Sequence, residues 1–179
     1  SASMDRLVSG HSSDMVPAEF AGGLSPIGVE ALKAFVQAGG TLICLGQSSG
    51  FAVSAFDLPV RDVARSNEDR VFVPGSILRI AIDPTHPLGF GLPRESAAFF
   101  ASSSAFEAGP SLDTVVRYAS QDLLVSGWLE GESILAGRSA VLQARVGGGR
   151  VVLLGFPVQH RGQSLATFRL LFNAIQTTP

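Results

Sequence analysis

Apolar residues recur at helical spacing in two segments, one near the start of the chain and one at its end. The first predicted helix begins at Ser25-Pro26, where proline loses no hydrogen bond, and ends before Gly39-Gly40. The second covers residues 164–176, with Ser164 as its cap. We expect each helix to cover the core with its apolar face, formed by Val29, Leu32, Phe35 and Val36 in the first and by Leu165, Phe168, Leu171, Phe172 and Ile175 in the second.

Continuous apolar runs at Thr41 to Leu45 and Val151 to Leu154 predict strands that are covered on both faces. A short helix is predicted over 51–56, and residues 96–106 fit either a helix or a strand. Further strands, some of them antiparallel, are predicted where apolar residues alternate or are β-branched between turn signals: 71–73, 77–82, 115–118, 123–129 and 140–146, with 84–89 as a loop. The whole pattern predicts an α/β sandwich with a mixed sheet and an inserted β-rich segment.

A chain of 179 residues suits one domain. We assign residues 22–179 to a single α/β domain and residues 1–21 to an N-terminal loop or tag remnant, because Ser1-Ala2-Ser3 is typical of a cloning scar. The polar N-terminal segment suggests a fragment of a larger protein, with a preceding strand left behind. A sheet that lacks a strand has an exposed edge, so a homodimer is one expected partner.

Composition narrows the classes of partner. The hydrophobic fraction is 46%, the charged fraction is 16% and the mean hydropathy is +0.32, which predicts a core-rich protein that hides surface against a partner. The net charge is −2 and no basic cluster stands out, so we expect no nucleic-acid binding. No apolar run reaches the length of a membrane span. Cys44 is the single cysteine, so the sequence leaves the compartment unknown.

Polar loops follow both predicted buried strands, at the carboxyl edge where open α/β sheets bind ligands. We therefore predict a ligand-binding site at this edge. Its candidate residues are Gly46, Gln47, Ser48, Ser49, His160, Arg161 and Gln163. A small-ligand sensor is one alternative function for such a site, and it predicts a concave apolar pocket with few polar groups at the same edge.

Residues 46–50 also match the G-x-S-x-G pattern of a serine-hydrolase nucleophile elbow. In that alternative Ser48 is the nucleophile and His160 the base, with an aspartate such as Asp83, Asp113 or Asp122 between them in the chain. The pattern is short and glycine and serine are abundant, so a plain strand-to-helix turn is the favoured interpretation. The hydrolase requires Ser48 and His160 to lie within hydrogen-bond reach.

Four other residues invite a chemical interpretation. Cys44 occupies a place like that of the amidotransferase nucleophile, but it lies inside an apolar run and no His-x-Glu pair exists in the chain. His11 and Asp14 have the spacing of two zinc ligands, without an identifiable third. His86, near two prolines, is interpreted as structural.

The order of several segments resembles one known module: 22–32, 35–42, 74–78, 83–89 and 149–174, in particular Pro74-Gly75-Ser76 and Pro84-Thr85-His86-Pro87-Leu88. The module is the class I glutamine-amidotransferase-like domain found C-terminal to the catalytic domain of bacterial zinc carboxypeptidases of the carboxypeptidase-A-like family. The resemblance implies a three-layer, flavodoxin-like sandwich on a secreted or periplasmic metallopeptidase.

Neither family's catalytic residues can be carried over to this chain. The resemblance therefore implies a non-catalytic accessory domain that acts by packing, oligomerisation or ligand binding. Its partner would be the catalytic domain of the parent protein. Zinc is expected in that catalytic domain, and we expect no metal or other cofactor in this chain.

Overall fold

The computed structural model describes residues 4–162 and 164–177. Its helices are α1 (Met4–Ser9), α2 (Ser25–Gln37), α3 (Ser48–Ala55), α4 (Glu132–Leu135) and α5 (Leu165–Gln176). Its strands are β1 (Thr41–Leu45), β2 (Val60–Asp62), β3 (Ser76–Ile82), β4 (Glu95–Phe100), β5 (Phe106–Ala108), β6 (Asp113–Tyr118), β7 (Leu124–Ser126), β8 (Ser139–Val146) and β9 (Gly149–Leu154). The described residues thus form a mixed α/β structure.

These strands belong to one curled, mixed sheet. Its main path runs β1-β9-β8-β6-β3-β4, while β5 joins β8 to β2 and β7 pairs with β3. Among the described strands, only β1 and β9 are parallel neighbours, with Thr41 opposite Arg150 and Leu45 opposite Leu154. The other pairs are antiparallel, so β1, β9, β6 and β4 all point the same way. Their carboxyl ends consequently meet at one edge of the sheet.

The sheet separates two cores, because successive residues of a strand point to opposite faces. Val152 and Leu154 of β9 belong to the larger core, which also holds Leu170 of α5. Val151 and Leu153 belong to the core that contains Val36 of α2 and Ala52 of α3. Helices on both faces of a mixed sheet make the predicted three-layer sandwich, which is confirmed.

The β8–β9 hairpin is held close to the end of α2 by glycines. Gly147 has a φ of +58° in the turn, a conformation that side chains disfavour. At Gly149 a Cβ would lie 2.2 Å from the carbonyl oxygens of both Gly40 and Val36. The glycine-rich turn therefore lets β9 pack against the helix end that precedes β1.

Most predicted elements are confirmed, with shifted ends. The helix predicted over 51–56 begins earlier, at Ser48, and the ambiguous segment 96–106 supplies β4 and the start of β5. Residues 71–73 form only an isolated bridge between Phe72 and Glu130, and the strand predicted over 123–129 shrinks to β7. Within 84–89 the structure has a short 3-10 helix at Pro87–Gly89. The short elements β2 and α4 carry too few residues to show a period, and the sequence did not predict them.

The N-terminal segment is not the continuous loop that was predicted. Met4–Ser9 is helical and packs against α2 and α3, and Ala18–Phe20 forms a 3-10 turn. The backbone N–H of Leu24 donates to the carbonyl of Leu7, which ties this segment to the start of α2. Residues 1–3, the predicted tag remnant, lie outside the described residues.

Leu171 of the predicted apolar face packs against the core, but the predicted orientation of α5 as a whole is wrong. Its buried side chains are Thr167, Leu170, Asn173 and Ala174. Leu165, Phe172 and Ile175 of the predicted core face are instead 73%, 54% and 63% exposed. The reason is that Asn173 is buried to donate to the carbonyls of Leu88 and Phe90, which turns the helix about its axis. Ser164 does occupy the cap position, but its side chain makes no capping hydrogen bond.

One edge of the sheet is open along β1. Gly40 and Gly46 bond to β9, so the alternate residues Thr41, Ile43 and Leu45 direct their backbone groups away from it. Among the described residues β1 pairs with β9 and no other strand. The expectation of an exposed edge is therefore met at β1.

Candidate functional site

The carboxyl edge of the sheet carries a cluster of unusual backbone conformations. Each of the four strands that end there is soon followed by a residue with φ near +50°: Gly46 after β1 (+56°), and Ser102, Asp122 and Arg161 after β4, β6 and β9 (+49° each). Such values are uncommon for residues other than glycine, and they concentrate at functional turns. The structure therefore gives this edge the tight turns that a binding site requires.

The turn after β1 does not have the form of a nucleophile elbow. In an elbow the nucleophile occupies the strained strand-to-helix position, but here Gly46 takes that conformation and Ser48 begins α3. The Ser48 hydroxyl accepts a hydrogen bond from the Leu45 N–H at 2.8 Å and lies 3.0 Å from the Leu45 carbonyl, to which it donates. Ser48 thus satisfies both outward backbone groups at the end of β1 and makes no hydrogen bond with His160.

His160 lies in a different environment from the β1 turn. Its ring stacks on Phe99, with ring centroids 4.3 Å apart, and borders a cavity of about 470 Å³ with Leu165 of α5. Gln47 borders a separate cavity of about 320 Å³ with Phe100. Because Phe99 and Phe100 are consecutive residues of β4, the two cavities lie on opposite faces of that strand.

The seven predicted site residues are therefore divided. Gly46, Gln47, Ser48 and Ser49 form the turn into α3, and only Gln47 of these borders a cavity. Arg161 is exposed in the 3-10 turn that carries His160. Gln163 lies outside the described residues. Ser49 is fully buried, and its hydroxyl has no hydrogen-bond partner among the described residues.

The cavity at Gln47, hereafter the Gln47 cavity, is lined by polar and apolar residues in equal number. Its charged and hydroxyl-bearing lining residues are Asp62, Arg65, Glu68, Ser102 and Ser103. One oxygen of Asp62, Oδ1, accepts hydrogen bonds from the backbone N–H groups of Ala64, Arg65 and Ala105. Asp62 therefore holds the cavity wall together, while its second oxygen takes no part in those bonds.

Sequence reasoning found only Gln47 of this cavity. Asp62, Arg65 and Glu68 lie in a polar stretch without a recognisable motif, and Ser102 follows a segment that fitted two secondary structures. Their proximity to Gln47 comes from the chain crossing after β4, where the Ser104 N–H donates to the Gly155 carbonyl. The sequence carries no local signal for that crossing.

Cys44 lacks the properties of a nucleophile. Its side chain is 3% exposed and packs in the core on the α3 side of the sheet. Burial raises the pKa of the thiol to about 11, so the thiolate is scarce near neutral pH. The position that resembles the amidotransferase nucleophile is thus occupied by a packing residue.

The other histidines have structural contacts. His86 accepts the Leu88 N–H at Nδ1, 3.1 Å away, and burial lowers the pKa of its ring. His11 forms an isolated backbone bridge with Gly22. Within residues 4–162 and 164–177, no group of three or more His, Cys, Asp or Glu residues is arranged to hold a metal ion. In the same part of the chain, no helix is both long and apolar enough to cross a bilayer.

An apolar groove of about 390 Å³ lies between α1, α2 and α3. Val8, Pro26, Val29 and Phe51 form most of its wall. The sensor alternative predicts an apolar pocket with few polar groups at the carboxyl edge. The His160 cavity has this character, since most of its lining residues are apolar, whereas polar and apolar residues line the Gln47 cavity in equal number.

No protein-family model and no curated protein matches the sequence. Solved structures match the fold. A cytoplasmic protein from Salmonella typhimurium is 15% identical with a TM-score of 0.61, over 98% of this chain and 68% of that one. A β-galactosidase from Bacillus circulans sp. alkalophilus is 12% identical with a TM-score of 0.53, over 84% of this chain. This chain covers only 20% of that enzyme's length.

A GMP synthase-like protein from Thermoplasma acidophilum is 8% identical with a TM-score of 0.52. The match covers 83% of this chain and 63% of that protein. At such low identities these likenesses establish the fold and nothing finer. The chain has a glutamine-amidotransferase-like α/β fold, as the sequence predicted, while no comparison links it to zinc carboxypeptidases.

Proposed function

We propose that this chain is a non-catalytic accessory domain that packs on a further polypeptide domain through the open edge of β1. The observation that carries the proposal is that unpaired strand backbone and two apolar helix flanks coincide at this edge. Exposed apolar patches of this kind mark interaction sites, and an unpaired strand edge is a template for another strand.

The flank of α5 that faces this edge is apolar. Asn173 bonds to the carbonyls of residues 88–90, so Phe168, Phe172 and Ile175 lie on the other flank of the helix. Arg150 donates to both Thr41 of β1 and the carbonyl of Ala174, which places the end of α5 above the start of β1. The exposed stripe of α5 therefore borders the open edge.

The flank of α2 on the other face of the sheet has the same character. One side of α2 borders a groove with the end of α3, and it carries Glu30, Ala34 and Gln37. That side therefore faces away from the open edge of the sheet. Phe35 lies on the side away from α3 and is 54% exposed. Lys33 and Glu30 pair with each other at 3.0 Å, on the α3 side.

Covering these flanks would contribute favourable free energy to packing. Fully burying a Phe or Ile side chain stabilises by about 1.5–3 kcal/mol, so covering a half-exposed one contributes roughly 1 kcal/mol. Phe35, Phe172 and Ile175 together offer roughly 3 kcal/mol before any strand hydrogen bonds form. A strand that is apolar on both faces would fit between the two helices.

The resemblance seen in the sequence makes a zinc carboxypeptidase-like catalytic domain the candidate partner. In that case the zinc belongs to the partner domain, and the protein acts outside the cytoplasm or in the periplasm. A second copy of this chain, pairing β1 with β1, is the other occupant that the surface admits. The serine-hydrolase alternative has little geometric support, because the Ser48 hydroxyl bonds to Leu45.

Hydrogen exchange tests the proposal. In this chain alone the outward amide of Ile43 should exchange orders of magnitude faster than the Cys44 amide, which points to β9. In the full-length gene product both amides should be protected to a similar degree. Fast exchange at Ile43 in both samples would contradict packing at this edge.

A charge introduced on the α5 flank tests whether this flank takes part in the packing. Phe172→Glu should restore fast exchange at Ile43 in the full-length protein, whereas Phe90→Glu, at an exposed aromatic elsewhere, should leave it slow. The mass of this chain alone in solution distinguishes the two occupants. A dimer that dissociates when Phe172 is replaced by Glu would show that the occupant is a second copy of this chain. Labelling of Ser48 by a fluorophosphonate would favour the hydrolase instead.

A further inference from the structure

We infer that the Gln47 cavity and an aromatic platform beside it form a carbohydrate-binding site. The inference goes beyond the packing role proposed above and concerns a different surface. It rests on two exposed aromatic residues, Phe72 and Trp128, of which Phe72 also lines the Gln47 cavity.

Phe72 and Trp128 belong to the same outward face of two paired segments. The backbone N–H groups of Phe72 and Glu130 each donate to the other's carbonyl, so these two residues are directly paired. Val71, Val73 and Leu129 pack against the core, which turns Phe72, Trp128 and Glu130 outward. The two aromatic side chains remain 55% and 60% exposed.

The platform is held in place by polar contacts. Trp128 Nε1 donates to Glu130 Oε1 at 3.0 Å, which limits the indole's rotation. The Trp128 backbone is fixed from beneath, because Ser76 Oγ accepts its N–H at 2.9 Å and donates to its carbonyl at 2.7 Å. Keeping a large apolar surface in contact with water costs free energy, so an aromatic surface that specific hydrogen bonds hold exposed is unusual without a ligand.

Phe72 connects the platform to the cavity. It lines the Gln47 cavity together with Pro74, and the groups around them include the Gln47 amide, the Arg65 guanidinium and the Glu68 carboxylate. A sugar ring presents C–H bonds on its faces and hydroxyl groups around its rim. The aromatic rings suit the faces, and the amide, guanidinium and carboxylates suit the hydroxyls, which donate and accept.

A peptide fits the same surface less well. Peptides that bind as added strands need unpaired backbone groups on the receptor, but the N–H and carbonyl groups of Phe72 and Glu130 already bond to each other. A nucleic acid would need a basic surface, whereas Arg65 is accompanied here by Asp62 and Glu68. The side chains at the cavity thus favour an uncharged oligosaccharide.

Trp128 is the only tryptophan of the chain, so its fluorescence reports on this site directly. We would titrate the chain with cellotetraose, chitotetraose and maltotetraose and follow the emission. A saturable change with at least one of them is expected. Phe72→Ala should weaken that binding roughly fivefold to tenfold, the loss of one stacking contact, while Phe90→Ala should not change it.

Gln47→Ala tests the polar half of the site, and calorimetry on Trp128→Phe checks the platform without the reporter. Both should bind more weakly than the unaltered chain, with circular dichroism confirming that each variant is folded. No saturable change with any of the three sugars, or saturation by tetra-alanine instead, would overturn the inference. Neither outcome affects Ile43 exchange, so the packing proposal is judged independently.

Discussion

The neighbouring strands β1 and β9 have similar sequences and very different surroundings. β9 contains Arg150-Val151-Val152-Leu153-Leu154 and all its residues are buried, between β1 and β8 and under helices on both faces. β1 reads Thr41-Leu42-Ile43-Cys44-Leu45, yet Cys44 is its only buried residue. Apolar strands of this kind are typical of covered parallel sheets. The difference shows that β1 has the sequence of an interior strand in the position of an edge strand.

Truncating a leucine in each strand measures this difference. Leu153→Ala should destabilise the chain by about 3 kcal/mol, because it removes a fully buried side chain from the core on the α3 side. Leu42→Ala, on the same side in β1, should cost about 1 kcal/mol in this chain alone. Urea unfolding of both variants gives the two values, and equal losses would mean that β1 is already covered.

Arg150 links the two strands to α5, and its removal should have the next largest effect. Its guanidinium donates to Thr41, to Gln143 and to the carbonyls of Ala174 and Thr177. Arg150→Met keeps the bulk of the side chain but leaves those buried acceptors without a donor, at a cost of roughly 2 kcal/mol. Thermal unfolding checks the loss. Arg145→Met, at an exposed arginine of β8, is the matched control and should change little.

Polar substitutions on the two flanks of α5 should lower stability by very different amounts. Phe172→Ser in this chain alone should cost no more than about 1 kcal/mol, since only half of the ring is buried. Leu170→Ser, on the buried flank, should unfold the chain or cost several times more. A large loss for Phe172→Ser, measured by urea unfolding, would show that the ring packs against this chain's own core.

Cys44 gives the smallest effect and a chemical check on β1. Since burial raises the thiol pKa to about 11, protonation favours the folded state, and its contribution is complete below pH 9 and lost between pH 9 and 11. Cys44→Ala should flatten the stability profile in that range. Iodoacetamide at pH 8 should modify the thiol only after unfolding, and rapid modification of the folded chain would indicate an accessible nucleophile.

Residue patterns were sufficient to predict the layers but not the site. Apolar periodicity placed α2, β1, β8, β9 and α5 to within a few residues, because each is long enough to show its period. The same periodicity assigned the wrong inner face to α5. Phe168, Phe172 and Ile175 are apolar, but their apolar character does not show whether this chain's own core or another surface covers them. A single polar contact, from Asn173 to residues 88–90, decided the orientation.

The carboxyl edge shows the same division. The sequence determined that Gln47 and His160 follow strands ending at one edge, because β1 and β9 are continuous apolar runs bounded by glycines. Only the tertiary structure decided that these residues border separate cavities, and that Phe72 lines the same cavity as Gln47. Strand formation depends on local periodicity, which a sequence displays. The composition of a cavity depends on how a curled sheet returns distant loops to one place, and that depends on packing across the whole chain.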